Sequence, residues 1–433
     1  MTSPEAVGVT PAPDGEVVSR RHWNWTVLAG MASYLDAGSI VALGAGLALF
    51  QTYLGLSAGA VGALAAIGPN ALGCAVGALI GGRLGDKLGR KRIYKYDLLV
   101  YAAGILCIAL SVNAPMLFVG TFVVGVAVGA DVPTSLALVG EFSPAKARGK
   151  LLGLTQVAWS VGPIVVLLLA LALSSLGLLG IRIVFAHLLV VALVTWALRR
   201  NLAESARWRT AAEMSTSDTV VRHRLRNLFS GAHLKALVWT ATIYLFWNLA
   251  AGTAGIFTPY IIKTLNAGTQ AASVALSCSS FVVTAIVTAA GFMRFADRGY
   301  RARRVMWAAG AVTEFVAFVL YLVFPFTVPV IIANMVMFAV GGALAGEAFY
   351  KVFSQELFPT MLRGTAQGIT FGVARAILGV WSFFVPVLAE AGIGPVAALL
   401  ALFLLISGLV GYLFMPDTSG KSLEQIETER ALA

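Results

Sequence analysis

Long apolar runs, broken at near-regular intervals by short polar stretches, set the pattern of this chain. The runs lie near 25–52, 57–81, 94–112, 115–140, 151–175, 179–199, 235–262, 270–293, 304–323, 327–353, 365–389 and 394–414. An α-helix needs about 20 mainly apolar residues to cross a bilayer. The pattern therefore predicts an all-α membrane protein with twelve transmembrane helices. Only a Ser-Ser-Leu-Gly turn at 174–177 parts the fifth span from the sixth. Barrel strands would run about ten residues with alternating polarity, and no segment reads that way. The one long polar interval, 200–234, reads as a cytoplasmic linker between a six-helix half at 23–199 and another at 235–414. Tails are expected at 1–22, proline-containing and disordered, and at 415–433. The first run reads as a retained helix and not a cleaved signal peptide.

The two halves repeat one another. The pattern E-x-x-P-x-x-x-R-G occurs at Glu141, Pro144, Arg148, Gly149 and again at Glu356, Pro359, Arg363, Gly364, an offset of 215 residues. Asp86 with Arg90, after the second span, corresponds to Asp297 with Arg301 after the eighth, at 211. Ala203-Glu204-Ser205 corresponds to Pro416-Asp417-Thr418 at 213. Six-helix repeats related by an axis along the membrane normal are a transporter architecture. Gly125 and Gly129 form a small-xxx-small pair in the fourth span, suited to close helix packing.

Composition agrees: 59% of the 433 residues are hydrophobic and 12% charged, about half the charge of a soluble domain. The net charge is +11, but its placement is topological. All but four of the 31 Lys and Arg fall on or near one face; Arg182 and Lys263 lie at outer ends, Lys351 and Arg375 inside spans. The positive-inside rule then puts both termini in the cytoplasm, across the inner (plasma) membrane. Nucleic-acid binding is set aside on that ground. The linker arginines, among them Arg200, Arg209, Arg222, Arg224 and Arg226, suit anionic lipid headgroups. Cys74, Cys107 and Cys278 lie within spans and read as small apolar residues. No histidine cluster suits a metal, no Gly-x-x-x-x-Gly-Lys-Ser/Thr loop suits ATP, and no compact catalytic constellation suits an enzyme. No cofactor is expected.

Four motifs in order carry a family resemblance over nearly the whole chain. Gly82-Arg-Leu-Gly-Asp86-Lys-Leu-Gly89-Arg90-Lys91 resembles the loop between helices 2 and 3 of the major facilitator superfamily. Glu141-Phe-Ser-Pro-Ala-Lys-Ala-Arg148-Gly149 resembles the loop after helix 4. Glu204-Ser205-Ala-Arg207-Trp208 is similar to the Pro-Glu-Ser-Pro-Arg-Trp element of the sugar porter group, with alanine for both prolines. Pro416-Asp417-Thr418-Ser-Gly420-Lys421-Ser422-Leu423-Glu424 resembles the element after helix 12. The resemblance implies a major facilitator fold of two pseudo-symmetric halves. A cytoplasmic gate is expected from Asp86, Arg90, Glu141, Arg148, Glu204, Arg207, Asp297, Arg301, Glu356 and Arg363, pairing across the halves.

A charge at mid-bilayer costs roughly 2.5–3.5 kcal/mol on insertion scales and needs a reason. Six positions qualify: Asp36, Asp131, Glu314, Glu347, Lys351 and Arg375. Asp36, in Tyr34-Leu-Asp36-Ala-Gly38-Ser-Ile40, resembles the protonated aspartate of sugar porter helix 1. That family's partner arginine on helix 4 aligns with Thr121 here, so the usual coupling pair is missing. Asp131 is a second carboxylate that could share a proton with Asp36 as a dyad. Arg375 could pair with Asp36 or Asp131, or hold a substrate carboxylate. Glu347 and Lys351 are spaced i, i+4 and can pair; sugar porters usually carry a stacking tryptophan at the position of Lys351. Glu314 is expected to pair peripherally.

The expected substrate face follows from the resemblance and from side-chain chemistry. Gln156, in Gly153-Leu-Thr-Gln156-Val-Ala-Trp159, matches the sugar-binding glutamine of helix 5. Trp247-Asn248 aligns with the helix 7 Gln-Gln pair and Thr253 with a later asparagine. Amides and hydroxyls suit a polyhydroxyl ligand, and an indole such as Trp159 or Trp247 its apolar face. With Glu347, Lys351 and Arg375 these make the candidate substrate set. The expected function is secondary active transport, as a monomer, of a small sugar or inositol-like polyol by proton symport. Alternatives are proton symport of small organic acids, suggested by Arg375 and Lys351, and uncoupled uniport, suggested by Thr121.

Overall fold

The computed structural model describes residues 17–200, 202–214, 226–264 and 270–431. Most of the tail at 1–22 and the middle of the 200–234 linker, with Arg222 and Arg224, lie outside the described residues.

The fold is all-helical. Ten helical segments among the described residues are long and apolar enough to cross a membrane, starting with Arg20–Leu54 and ending with Ile393–Leu413. Arg90–Ala109 and Arg363–Ser382 occupy the places of the third and eleventh predicted spans. Ends sit where local chemistry puts them. Ser19 caps the first span in a capping box with His22, and Asn113 accepts from the Met116 N–H at the start of the fourth. Gly55, at φ 64°, closes the first span in the left-handed region that favours glycine.

Two spans are broken at mid-depth. The second divides into Ala58–Ile67 and Leu72–Leu88 around Gly68, Pro69 and Asn70. The tenth divides into Val328–Ala345 and Glu347–Glu356 at Gly346, where a Cβ would strike the Trp247 indole at 2.6 Å. The eighth carries a π-helical turn at Thr288–Phe292, packed against the fifth.

Helix neighbours repeat with the halves. The first span packs on the fifth as the seventh does on the eleventh; the second and third pack on the fourth as the eighth and ninth do on the tenth. The halves meet where the second span lies on the eleventh and the fifth on the eighth, itself a symmetric pair of contacts. Glycine makes these approaches possible: a Cβ at Gly82 would run into the Gly364 carbonyl, and one at Gly129 into that of Cys74.

Exposure is inverted relative to a water-soluble domain. Val190, Val312 and Val387 are exposed, while Arg90, Arg148, Arg199, Arg303 and Arg363 are among the largest fully buried side chains. Apolar surface faces lipid at no cost, and the arginines are held by carboxylates inside the bundle.

Candidate functional site

The charged face is built as two copies of one device. Glu141, ending the fourth span, accepts from Arg90 at 2.6 Å and from Arg363 of the other half at 3.1 Å. Glu356, ending the tenth, accepts from Arg303 at 2.7 Å and from Arg148 of the other half at 3.2 Å. Asp86 accepts from the Gly364 and Thr365 N–H groups, at 3.1 and 2.6 Å, at the start of the eleventh span. Asp297 accepts from the Gly149 and Lys150 N–H groups, both at 2.8 Å, at the start of the fifth. Each aspartate thus satisfies orphan donors and a helix dipole belonging to the opposite half. Burial holds the Asp297 carboxyl above the ordinary carboxylate range, although Arg303 draws it down.

Arg301 does not take the expected place. It is exposed, and Arg303 fills the position equivalent to Arg90. The second copy has two more residues between Asp297 and its arginine, so the true offset there is 213 and not 211. Glu204 stays within its own half, accepting from the Arg90 and Lys91 N–H groups at 3.1 and 3.0 Å. Arg207, on the short helix Ala206–Glu213, donates to Glu424 of the C-terminal helix at 2.8 Å and to the Glu141 carbonyl. Burial opposes ionisation of Glu424, but Arg207 outweighs it and holds that carboxyl below the ordinary range.

A second polar cluster lies at mid-depth, and all its charged members are buried. Asp36 pairs with Arg375 of the other half at 3.5 Å and accepts from the Trp159 indole N–H at 3.2 Å. Arg375 also donates to the Asn70 side-chain oxygen at 2.8 Å, at the break in the second span. Its guanidinium lies 4.8 Å from the Phe371 ring centroid. Lys351 donates to Gln156 at 2.6 Å and reaches Ser33 at 3.5 Å, both in the first half, and lies 3.8 Å from Glu347. Asp36, Gln156, Trp159, Glu347, Lys351 and Arg375 are thus brought together, tying the first and fifth spans to the tenth and eleventh.

The remaining expected residues are placed elsewhere. Asp131 does not meet Asp36. It forms a two-point pair with Arg199 at 2.8 and 3.0 Å. Arg199 also holds the Leu28 and Ala29 carbonyls, seven or eight residues before Asp36, which is about 10–12 Å along a helix. The shared dyad is thereby corrected: the partner of Asp36 is Arg375. Glu314 is not peripheral; it is buried and accepts from the Trp247 indole at 2.8 Å. Thr253 accepts from Trp381 at 2.8 Å. Trp247 and Thr253 are therefore engaged within the second half.

Several buried polar atoms at mid-depth have no hydrogen-bond partner among the described residues: Asp36 Oδ1, Asn70 Nδ2, Tyr244 Oη and Asn248 Nδ2. Such groups are rare in a finished core and mark where a ligand or water belongs. Asn70 and Tyr244 were not among the expected residues. A Gly-Pro-Asn sequence inside an apolar run signals a break, so Asn70 was findable. Tyr244, stacked on Tyr350 at 4.0 Å between centroids, has no such signal.

Two related helical halves, a charged face closed by ties between them and a polar cluster at mid-depth define a multi-pass membrane transporter, not an enzyme. The Major Facilitator Superfamily model matches residues 26–383, and the chain belongs to that superfamily. It is 40% identical over 410 residues, 93% of each chain, to the minor myo-inositol transporter IolF of Bacillus subtilis (strain 168). Among solved structures it resembles the proton:xylose symporter XylE bound to 6-bromo-6-deoxy-D-glucose, with a TM-score of 0.80 at 18% identity, covering 94% of this chain and 99% of that one. The inward-open XylE from E. coli scores lower, 0.67 at 19% identity over 94% and 100%.

Proposed function

We propose that the chain is a proton-coupled symporter of a small polyhydroxyl solute, a sugar or inositol-like polyol, working by alternating access. On this reading it acts as a monomer in the plasma membrane, with the charged face and both termini in the cytoplasm. The observation that carries it is the pair of ties at mid-depth, Asp36 to Arg375 and Gln156 to Lys351, each joining one half to the other. A proton on Asp36 removes the charge that holds Arg375. Hydroxyls of a bound polyol compete for Gln156 and Lys351. Proton and solute together release both ties, and either alone leaves one in place, so the halves rock only with both cargoes. The unpartnered Asn70 and Asn248 amide nitrogens and the Tyr244 hydroxyl supply further hydroxyl partners. The relative named for myo-inositol supports the solute class.

The alternatives are less well supported. Two carboxylates, Asp36 and Glu347, already balance Lys351 and Arg375, so the cluster does not call for an anionic ligand. Uniport rested on Thr121, but Arg375 stands beside Asp36 from the opposite half where the sugar porter resemblance places a helix 4 arginine. The test is uptake of labelled myo-inositol, pentoses, hexoses and small carboxylates into proteoliposomes with and without an imposed pH gradient. Accumulation of a polyol or sugar that a proton uncoupler abolishes supports the proposal. Accumulation of carboxylates alone, or uptake indifferent to the uncoupler, contradicts it.

A further inference from the structure

A second acidic site lies apart from Asp36, between it and the charged face. Asp97 of the third span neighbours Asp131 of the fourth: Tyr94, one turn before Asp97, donates to the Thr134 carbonyl at 3.1 Å, one turn after Asp131, and the Arg199 guanidinium lies 4.9 Å from the Tyr94 ring centroid. Arg199, ending the sixth span, donates to both Asp131 oxygens at 3.0 and 2.8 Å, and Ser135 donates to one of them. Asp97 Oδ1 accepts from the Leu98 N–H at 2.6 Å, while Oδ2 is buried with no partner among the described residues. Asp97, Asp131 and Arg199 expose only 6%, 3% and 1% of their surface. The titratable and charged groups facing the pair are Tyr94 from the third span and Arg199 from the sixth. The first span brings the main-chain oxygens of Leu28 and Ala29.

The charge count decides what this cluster holds. Two buried carboxylates lie beside one guanidinium, which Asp131 holds, so full ionisation leaves one buried negative charge uncompensated. Buried charges without a partner neutralise instead, and neighbouring carboxylates titrate as a pair. We propose that Asp97 and Asp131 form a second proton-binding site, with the proton on Asp97 Oδ2 and Asp131 ionised against Arg199. The assignment does not depend on which solute is carried.

The test is infrared spectroscopy of the full chain in membranes, with 13C-labelled aspartate, reading the carbonyl stretch of protonated carboxyls at neutral pH. The expected result is a protonated-aspartate band that survives in Asp36→Asn and is lost in Asp97→Asn. Asp131→Asn is expected to lose it as well, because Asp97 then becomes the sole carboxylate partner of Arg199 and ionises. This second variant keeps the test open should Asp97→Asn fail to fold. An aspartate band unchanged in either variant overturns the proposal. None of these readouts involves transport, so a failure here is separate from a failure of the symport reading.

Discussion

The charged face and the mid-depth cluster are held by the same kinds of groups, yet one is symmetric and the other is not. At the face each residue has its counterpart: Glu141 and Glu356, Arg90 and Arg303, Arg363 and Arg148, Asp86 and Asp297. At mid-depth, counting back 215 residues puts Glu347, Lys351 and Arg375 on Val132, Leu136 and Ser160, none of them charged. Contacts that hold two halves of one repeated design to each other come in matched pairs, so duplication preserves them. On the proposed reading, a proton and a solute need different groups on the two walls, and the copies differ there.

The largest effect that would break this comparison is at Glu356. Glu356→Gln leaves Arg303 and Arg148 facing each other without their shared carboxylate. Breaking a buried ion pair by removing one partner costs about 3–5 kcal/mol. Thermal unfolding should show that loss, and thiol labelling from the charged face should rise. Glu141→Gln should cost less, because Arg90 keeps Asp86 at 3.0 Å whereas Arg303 has Asp297 only at 3.9 Å. Equal losses would mean that the device is symmetric in energy as well as in form.

At mid-depth, Asp36→Asn should abolish accumulation against a gradient while counterflow exchange of the solute persists. Loss of both would make Asp36 structural. A smaller effect is expected from Gln156→Ala: the loss of about one hydrogen bond to the solute, worth about 1 kcal/mol, should raise the half-saturating concentration about fivefold. The smallest is expected at Arg301, whose exposed side chain should tolerate alanine within about 0.5 kcal/mol. Arg303→Ala should instead approach the Glu356→Gln phenotype, and a reversal of that order would refute the two-residue shift in register.

The fold was legible because lipid imposes a length and a polarity on every span, and duplication repeats charged loops at fixed intervals. The charged face was legible for the same reason, except where the spacing changed: the Asp86–Arg90 interval transferred directly to Asp297 lands on Arg301. The mid-depth site was legible residue by residue and not pair by pair. Asp36 and Arg375 stood out as charges in apolar runs, but their contact joins spans 339 residues apart, and no local period reports it. Asp97 and Arg199 escaped notice because they lie near span ends, where charge is ordinary.

The most direct test of the account is external pH in weakly buffered liposomes containing the protein, recorded as myo-inositol is added. The account predicts alkalinisation with the native protein and none with Asp36→Asn, because the solute enters only with the proton that frees Arg375. Entry of labelled myo-inositol with no change in pH would contradict it.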